Sequence, residues 1–205
     1  MKKTILKIML IAAVTTIIFT GCSKNASTSI KTNTTTEKNV TPMVARANPE
    51  DTVSEYYNSE VSKDSNFLSG FFLNSKMSQS TTLKEQLVTF NVKKLQLINI
   101  YNKKAHGNYI TMVCAYNTYF NGIATPRPDV EIVTLVQKSG KWYFLNDYSK
   151  VADNDMKWIN EMAITQKNEI SKNKIIQKIE KQNAAFDVAN SEYLANASKT
   201  QTVKQ

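Results

Sequence analysis

The chain has 205 residues but only two cysteines, Cys22 and Cys114, and one histidine, His106. Two thiols cannot form the disulfide framework of a small secreted scaffold, so stability must come from a hydrophobic core. A metal centre or a histidine-based triad needs further partners at defined places. His106 lies before Gly107 in a polar stretch and reads as a solvated turn residue. Glycine-rich phosphate loops, paired nucleophile motifs and metal-ligand spacings are absent. No residue set stands out as catalytic, and no metal or cofactor is called for. Repeats are absent too. Long apolar runs are also scarce: residues 8–19 are uncharged, but a spanning helix needs about 20 apolar residues.

That apolar run follows Met1-Lys2-Lys3-Thr4-Ile5-Leu6-Lys7 and ends in Phe19-Thr20-Gly21-Cys22. A basic start followed by a short apolar run has the layout of a signal peptide. Small residues before a cysteine suit a peptidase pocket, and a deprotonated thiol is a good acceptor for diacylglycerol. This segment resembles the lipobox of bacterial lipoproteins, with Phe19 standing where that family has an aliphatic residue. The resemblance implies cleavage after residue 21, lipid on Cys22, and attachment to the extracytoplasmic face of the cell membrane. Two acyl chains give a stable anchor, since each buried methylene adds about 0.8 kcal/mol.

The formal charge is +9. Loss of Lys2, Lys3 and Lys7 would leave 23 of the 26 basic side chains against 17 acidic ones. Outside the cell such a balance meets anionic headgroups and wall polymers first, so nucleic acid is not an expected partner. Envelope proteins and anionic wall polymers are. Residues 22–47 are rich in Ser, Thr, Asn and Lys and cannot bury enough apolar surface to fold. They read as a tether.

Order is expected from Asn48, a helix cap before Pro49, Glu50 and Asp51. Val53, Tyr56, Tyr57 and Val61 then share a helical face. A short helix is expected around Phe67–Phe72. Thr82-Leu83-Lys84-Glu85 is a candidate capping box. The period then changes from helical to alternating. Strands are expected over residues 92–101, 109–120, 130–138 and 142–147, with Ser139-Gly140 as a tight turn. On the long second strand Ile110, Met112, Cys114, Tyr116 and Phe120 share a face. Asp153 reads as the cap of a last helical region, 152–195, which carries Lys167, Lys172, Lys174, Lys178 and Lys181. Residues 196–205 are expected to be disordered.

Helices followed by an antiparallel meander ending in Gly140-Lys141-Trp142-Tyr143-Phe144 are similar to the nuclear transport factor 2-like superfamily. Pro49-Glu50-Asp51-Thr52-Val53 with Tyr56-Tyr57, and Tyr119-Phe120-Asn121-Gly122, carry the rest of the resemblance. It implies an α+β cone over residues 48–151: N-terminal helices packed on a curved antiparallel sheet, with a C-terminal helical extension beyond. Tyr57, Cys114, Tyr116 and Phe120 would line its pocket, which would take a small apolar ligand. Enzymes of this superfamily place an acid in the cone. Here Glu131 and Asp147 are the only strand acids, both near strand ends, and the inward positions hold none. A non-enzymatic binding or protein-interaction module is therefore expected, with a polyketide-cyclase or isomerase-like enzyme as the alternative.

Overall fold

The structure is a computed structural model and describes residues 44–59, 65–79, Leu87 and 90–202. Residues 1–43, with Cys22 and most of the tether, lie outside the described residues, as do Val61 and the box Thr82 to Glu85. The chain is α+β. Helices α1 (Pro49–Tyr57), α2 (Ser65–Ser69) and α3 (Ser75–Gln79) precede strands β1 (Val92–His106), β2 (Tyr109–Phe120), β3 (Arg127–Lys138) and β4 (Lys141–Phe144). Helices α4 (Asp153–Lys172), α5 (Lys174–Ala189) and α6 (Ser191–Thr202) follow. The sheet is antiparallel, in the order β1-β2-β3-β4. Among the described residues no helix is long and apolar enough to cross a membrane.

Helix α1 starts where its sequence says it should. The Asn48 side chain accepts from Glu50 N at 2.8 Å and Asp51 N at 3.4 Å, and the two acids sit at the positive helix end. The described part of the tether is not free. Val44 and Ala45 are buried, and Trp142 N donates to Arg46 O at 2.8 Å, so residues 44–46 run beside β4. Thr52 ties the two together, its hydroxyl accepting from Arg46 N and donating to Trp142 O.

Strand β1 is irregular. It has register shifts at Val92/Lys94, Leu97/Asn99 and Tyr101/Lys104, and Asn102 has φ 51°. Each extra residue bends the strand and changes which side chains face inward. Ile100 therefore joins Leu97 on the core side, opposite Cys114 and Tyr116, while Ile98 is left largely exposed. Strict alternation would put Ile98 and Ile100 on one face. The hairpin after β1 is also tighter than expected, with the strand running on to His106 and only Gly107 and Asn108 in the turn. At the next hairpin Ser139 and Gly140 both have positive φ, 51° and 73°, the pattern of a two-residue turn that matches strand twist.

Strand β3 begins at Arg127 rather than at residue 130, and Pro128 lies inside it opposite Asn117. Proline is tolerated in a strand where its nitrogen faces an open edge. Here β4 covers only residues 135–138 of β3. Pro128 O accepts from Asn183 Nδ2 at 2.7 Å, so its backbone polar atoms point away from β2, toward α5.

The sheet is covered on both faces. Residues that pair directly across strands share a face, so Phe120, Tyr116, Cys114, Met112 and Ile110 join Leu95, Leu97, Ile100, Val133 and Leu135. This inner face packs on Val53, Tyr56, Tyr57, Leu68 and Phe71. Thr111, Val113 and Ala115 point the other way and are also fully buried. Helix α4 packs on that outer face. Gln166, itself fully buried, donates to Asn102 O at 2.7 Å and Thr111 Oγ1 at 3.0 Å. Ile159 joins Val136 and Leu145 in a second cluster with Trp158. Helix α4 starts at Asp153, but its cap is Ala152, which makes no side-chain bond. Asp153 is thus the first helical residue rather than the cap. Helix α5 crosses the open edge of β3, and α6 returns to the inner face, where Phe186 and Leu194 enter the main core. The C-terminal helices are therefore part of the packing. Residues 196–202 are helical within α6.

Candidate functional site

The inner face of the sheet gathers the four pocket residues expected from the sequence, together with acids that were not expected. Tyr57 stacks at a tilt on Tyr116, with centroids 4.6 Å apart, and meets Tyr56 edge-on at 5.1 Å. Tyr56 in turn touches Phe71, Phe72 and Phe144. Cys114 lies fully buried between Ile100 and Glu131 in the register. Its thiol is pushed up by burial, which makes it inert as a nucleophile. Phe120 stands at the far end of β2, stacked on Phe186 at 5.6 Å and edge-on to Tyr193 at 5.9 Å. Tyr57, Cys114 and Tyr116 thus form one packed group. Phe120 lies in the same core, at the end where the C-terminal helices enter it.

Glu131 corrects the expectation that inward positions hold no acid. It is the fifth residue of β3, not a residue at its end, and it pairs with Cys114 across the ladder. Glu131 is partly exposed as a residue, yet its Oε2 is shut off from water and has no hydrogen-bond partner among the described residues. The hydroxyls of Tyr56 and Tyr57 are in the same position. Burial pushes the Glu131 carboxyl well above the ordinary range. Burial also raises the Tyr56 phenol, and the charge of Glu131 adds to it. Each such group lowers stability by about 1–3 kcal/mol, and orphaned polar atoms that converge on one region of a core are a mark of function. Asp147, the other expected strand acid, lies beyond β4 and caps Ser149.

A raised folded-state pKa means that the native chain holds a proton the unfolded chain would release. The stability this supplies is complete below the unfolded value of a glutamate and is lost as pH rises through the folded value. Glu131→Gln should therefore leave the melting temperature near wild type at pH 4.5 and raise it at pH 8. A gain of 1 kcal/mol corresponds to about 2–4 °C in a chain of this size. Equal effects at both pH values would show that Glu131 is solvated.

Two residues along the same face, Asp129 meets Arg127. Arg127 Nη1 donates to both Asp129 oxygens at 2.7 and 2.6 Å, and its Nε donates to Asp187 Oδ1 of α5 at 2.8 Å. Asn183 Nδ2 donates to Asp129 Oδ1 at 2.6 Å. The Arg127 side chain is 4% exposed. Arg127 and Asp129 lie outside the strand expected from residue 130, and Asn183 and Asp187 lie inside the expected helical region, so no local pattern links them.

His106 is half exposed but not simply solvated. Its Nε2 lies 3.6 Å from Asp155 Oδ1, and its ring stacks on Trp158 at 5.2 Å. Two open grooves remain at the surface. One, about 490 Å³, is mixed in character and lies between Leu73, Lys76, Asn108, Val136, Lys138 and Lys150. The other, about 720 Å³, runs between α5 and the sheet, with Ile98, Tyr101 and Pro126 facing Ile175, Lys178 and Ile179.

No family model matches the chain, and no curated protein matches it.

Proposed function

We propose that this chain is a lipid-anchored, extracytoplasmic lipoprotein whose domain, of nuclear transport factor 2-like form, is a non-enzymatic interaction module. The observation supporting the module reading is the occupancy of the inner face. Tyr56, Tyr57, Tyr116 and Phe71 are each at most 2% exposed and in ring contact with one another or their neighbours, so the space a ligand would take is filled by the chain itself. Recognition then falls to the outside, where the 720 Å³ groove and the lysines of α4 and α5 suit an envelope protein or an anionic wall polymer. The anchor reading rests on Phe19-Thr20-Gly21-Cys22 and the segment before it.

Cys22→Ser is expected to leave unprocessed precursor or to release the protein from the membrane fraction. Processed, lipid-labelled protein from that variant would end the anchor reading. A photoreactive residue at position 175 should give adducts in intact cells that disappear with Cys22→Ser. Adducts that persist in the released protein would show that the contact does not depend on the envelope.

Glu131 supports a second reading. A carboxyl in an apolar interior whose charge reaches a buried tyrosine hydroxyl, that of Tyr56, is the equipment of a proton-transferring isomerase. In that case small ketones should shift the Tyr56 and Tyr57 ring resonances, and Glu131→Gln should abolish turnover without abolishing binding. Unshifted rings across a ketone series would remove this reading.

A further inference from the structure

We propose that Arg127, Asp129 and Asp187 form a proton-operated clasp that fastens α5 over the open edge of β3, tightest in acid and loosest above neutrality. The argument begins with charge. One guanidinium lies between two carboxylates, so the fully ionised cluster carries one excess negative charge. Arg127 is buried and Asp129 nearly so, which makes that excess costly. A single proton removes it.

The groups facing Asp129 come from three elements. On β3 they are Arg127 and, two residues on, Glu131. On β2 it is Tyr116, directly across the ladder. On α5 they are Asn183 and Asp187. Arg127 is the one cation among them. Burial raises the Asp129 carboxyl to about 7, against the opposing pull of Arg127, and Asp187 adds to the rise. The sign follows from linkage. With α5 docked, Asp129 holds its proton up to about 7; with α5 lifted, it returns toward the ordinary value of 3.8. Docking is then favoured below that lower value and weakens steadily as pH climbs to about 7.

The clasp sits where it has leverage. Asn183, which bonds Asp129, also satisfies Pro128 O on the open edge. One turn further, Phe186 stacks on Phe120. Beyond it Tyr193 donates to Phe90 O at 2.8 Å and Leu194 enters the core. Loosening the clasp frees the end of β2 and the inner face behind it. This inference does not depend on the anchor or on either reading of activity.

Hydrogen exchange of the full chain in detergent micelles, followed by mass spectrometry from pH 4.5 to 7.5 and corrected for intrinsic rates, tests it. Protection in α5 should fall by at least about tenfold relative to β2, since each unit of linked titration is worth up to tenfold. Asp129→Asn should flatten that profile. Asp187→Asn should lessen the fall, because the smaller of the two contributions that raise Asp129 is then gone. Constant wild-type protection in α5 overturns the clasp. So does a fall shared equally by β2, one that survives in Asp129→Asn, or one left unchanged by Asp187→Asn.

Discussion

Removal of residues 153–205 is expected to leave a fragment that aggregates and shows no cooperative melt. The sequence favours the opposite result, because the helical region after residue 152 reads as an appendage to a complete domain. The packing reverses that expectation. The deletion strips Ile159, Ile176, Ile179, Phe186 and Leu194, each buried to within 8% of its surface. Each such side chain contributes about 1.5–3 kcal/mol by burial, so the loss is on the order of 10 kcal/mol. A whole domain has only about 5–15 kcal/mol to lose. The cut also exposes Val113 and Ala115 on the outer face, and it leaves Thr111 Oγ1 without Gln166. Calorimetry and solubility of the fragment decide the matter. A soluble fragment with a single sharp transition would mean that α1 to β4 fold alone.

Arg127→Ala should be the most damaging single substitution of a charged residue among those described. It leaves the nearly buried Asp129 carboxylate and the partly exposed Asp187 carboxylate with no cation between them. Breaking a buried pair from one side costs about 3–5 kcal/mol. The loss, measured by urea unfolding, should shrink at pH 4.5, where Asp129 accepts a proton and no longer needs the guanidinium. Arg46 makes the informative contrast. It pairs with Glu55 in solvent, and Arg46→Ala should change the midpoint little. Equal damage from the two substitutions would show that the Arg127 cluster is open to water.

The local parts of this fold were legible in the sequence. Asn48 before Pro49, the alternation through residues 109–120 and the Ser139-Gly140 turn all depend on neighbours a few positions away, and all are found in place. What was missed depends on distant parts of the chain. The strand is expected only from residue 130 because proline, here Pro128, breaks a central strand. Whether a strand is central depends on where β4 stops and α5 lies, which no local window shows. That one residue hid Arg127 and Asp129 and made Glu131 read as an acid at a strand end. Parity offered a partial remedy. Positions 129 and 131 are in phase with Val133 and Leu135, so any strand running back through Pro128 puts those acids on the apolar side. The slips in β1 carry no comparable signal, and His106 looked solvated because Trp158 lies far along the chain. The weak apolar stripe of α5 has a physical cause as well. That helix buries Ile176 and Ile179 and turns Asn183 and Asp187 to the sheet edge, so its contact face is part apolar and part polar.

The junction at residues 44–46 has a mechanical consequence. Tension arriving from the N-terminal side first meets the buried Val44 and Ala45, then the main-chain hydrogen bond from Trp142 N to Arg46 O and the threonine bridge at Thr52. Those bonds would be strained one after another rather than shared across a ladder. Yielding would therefore begin at this corner, peeling residues 44–46 and the start of α1 from β4. Strands β1 to β3, which lie deeper along the line of force, would stay paired.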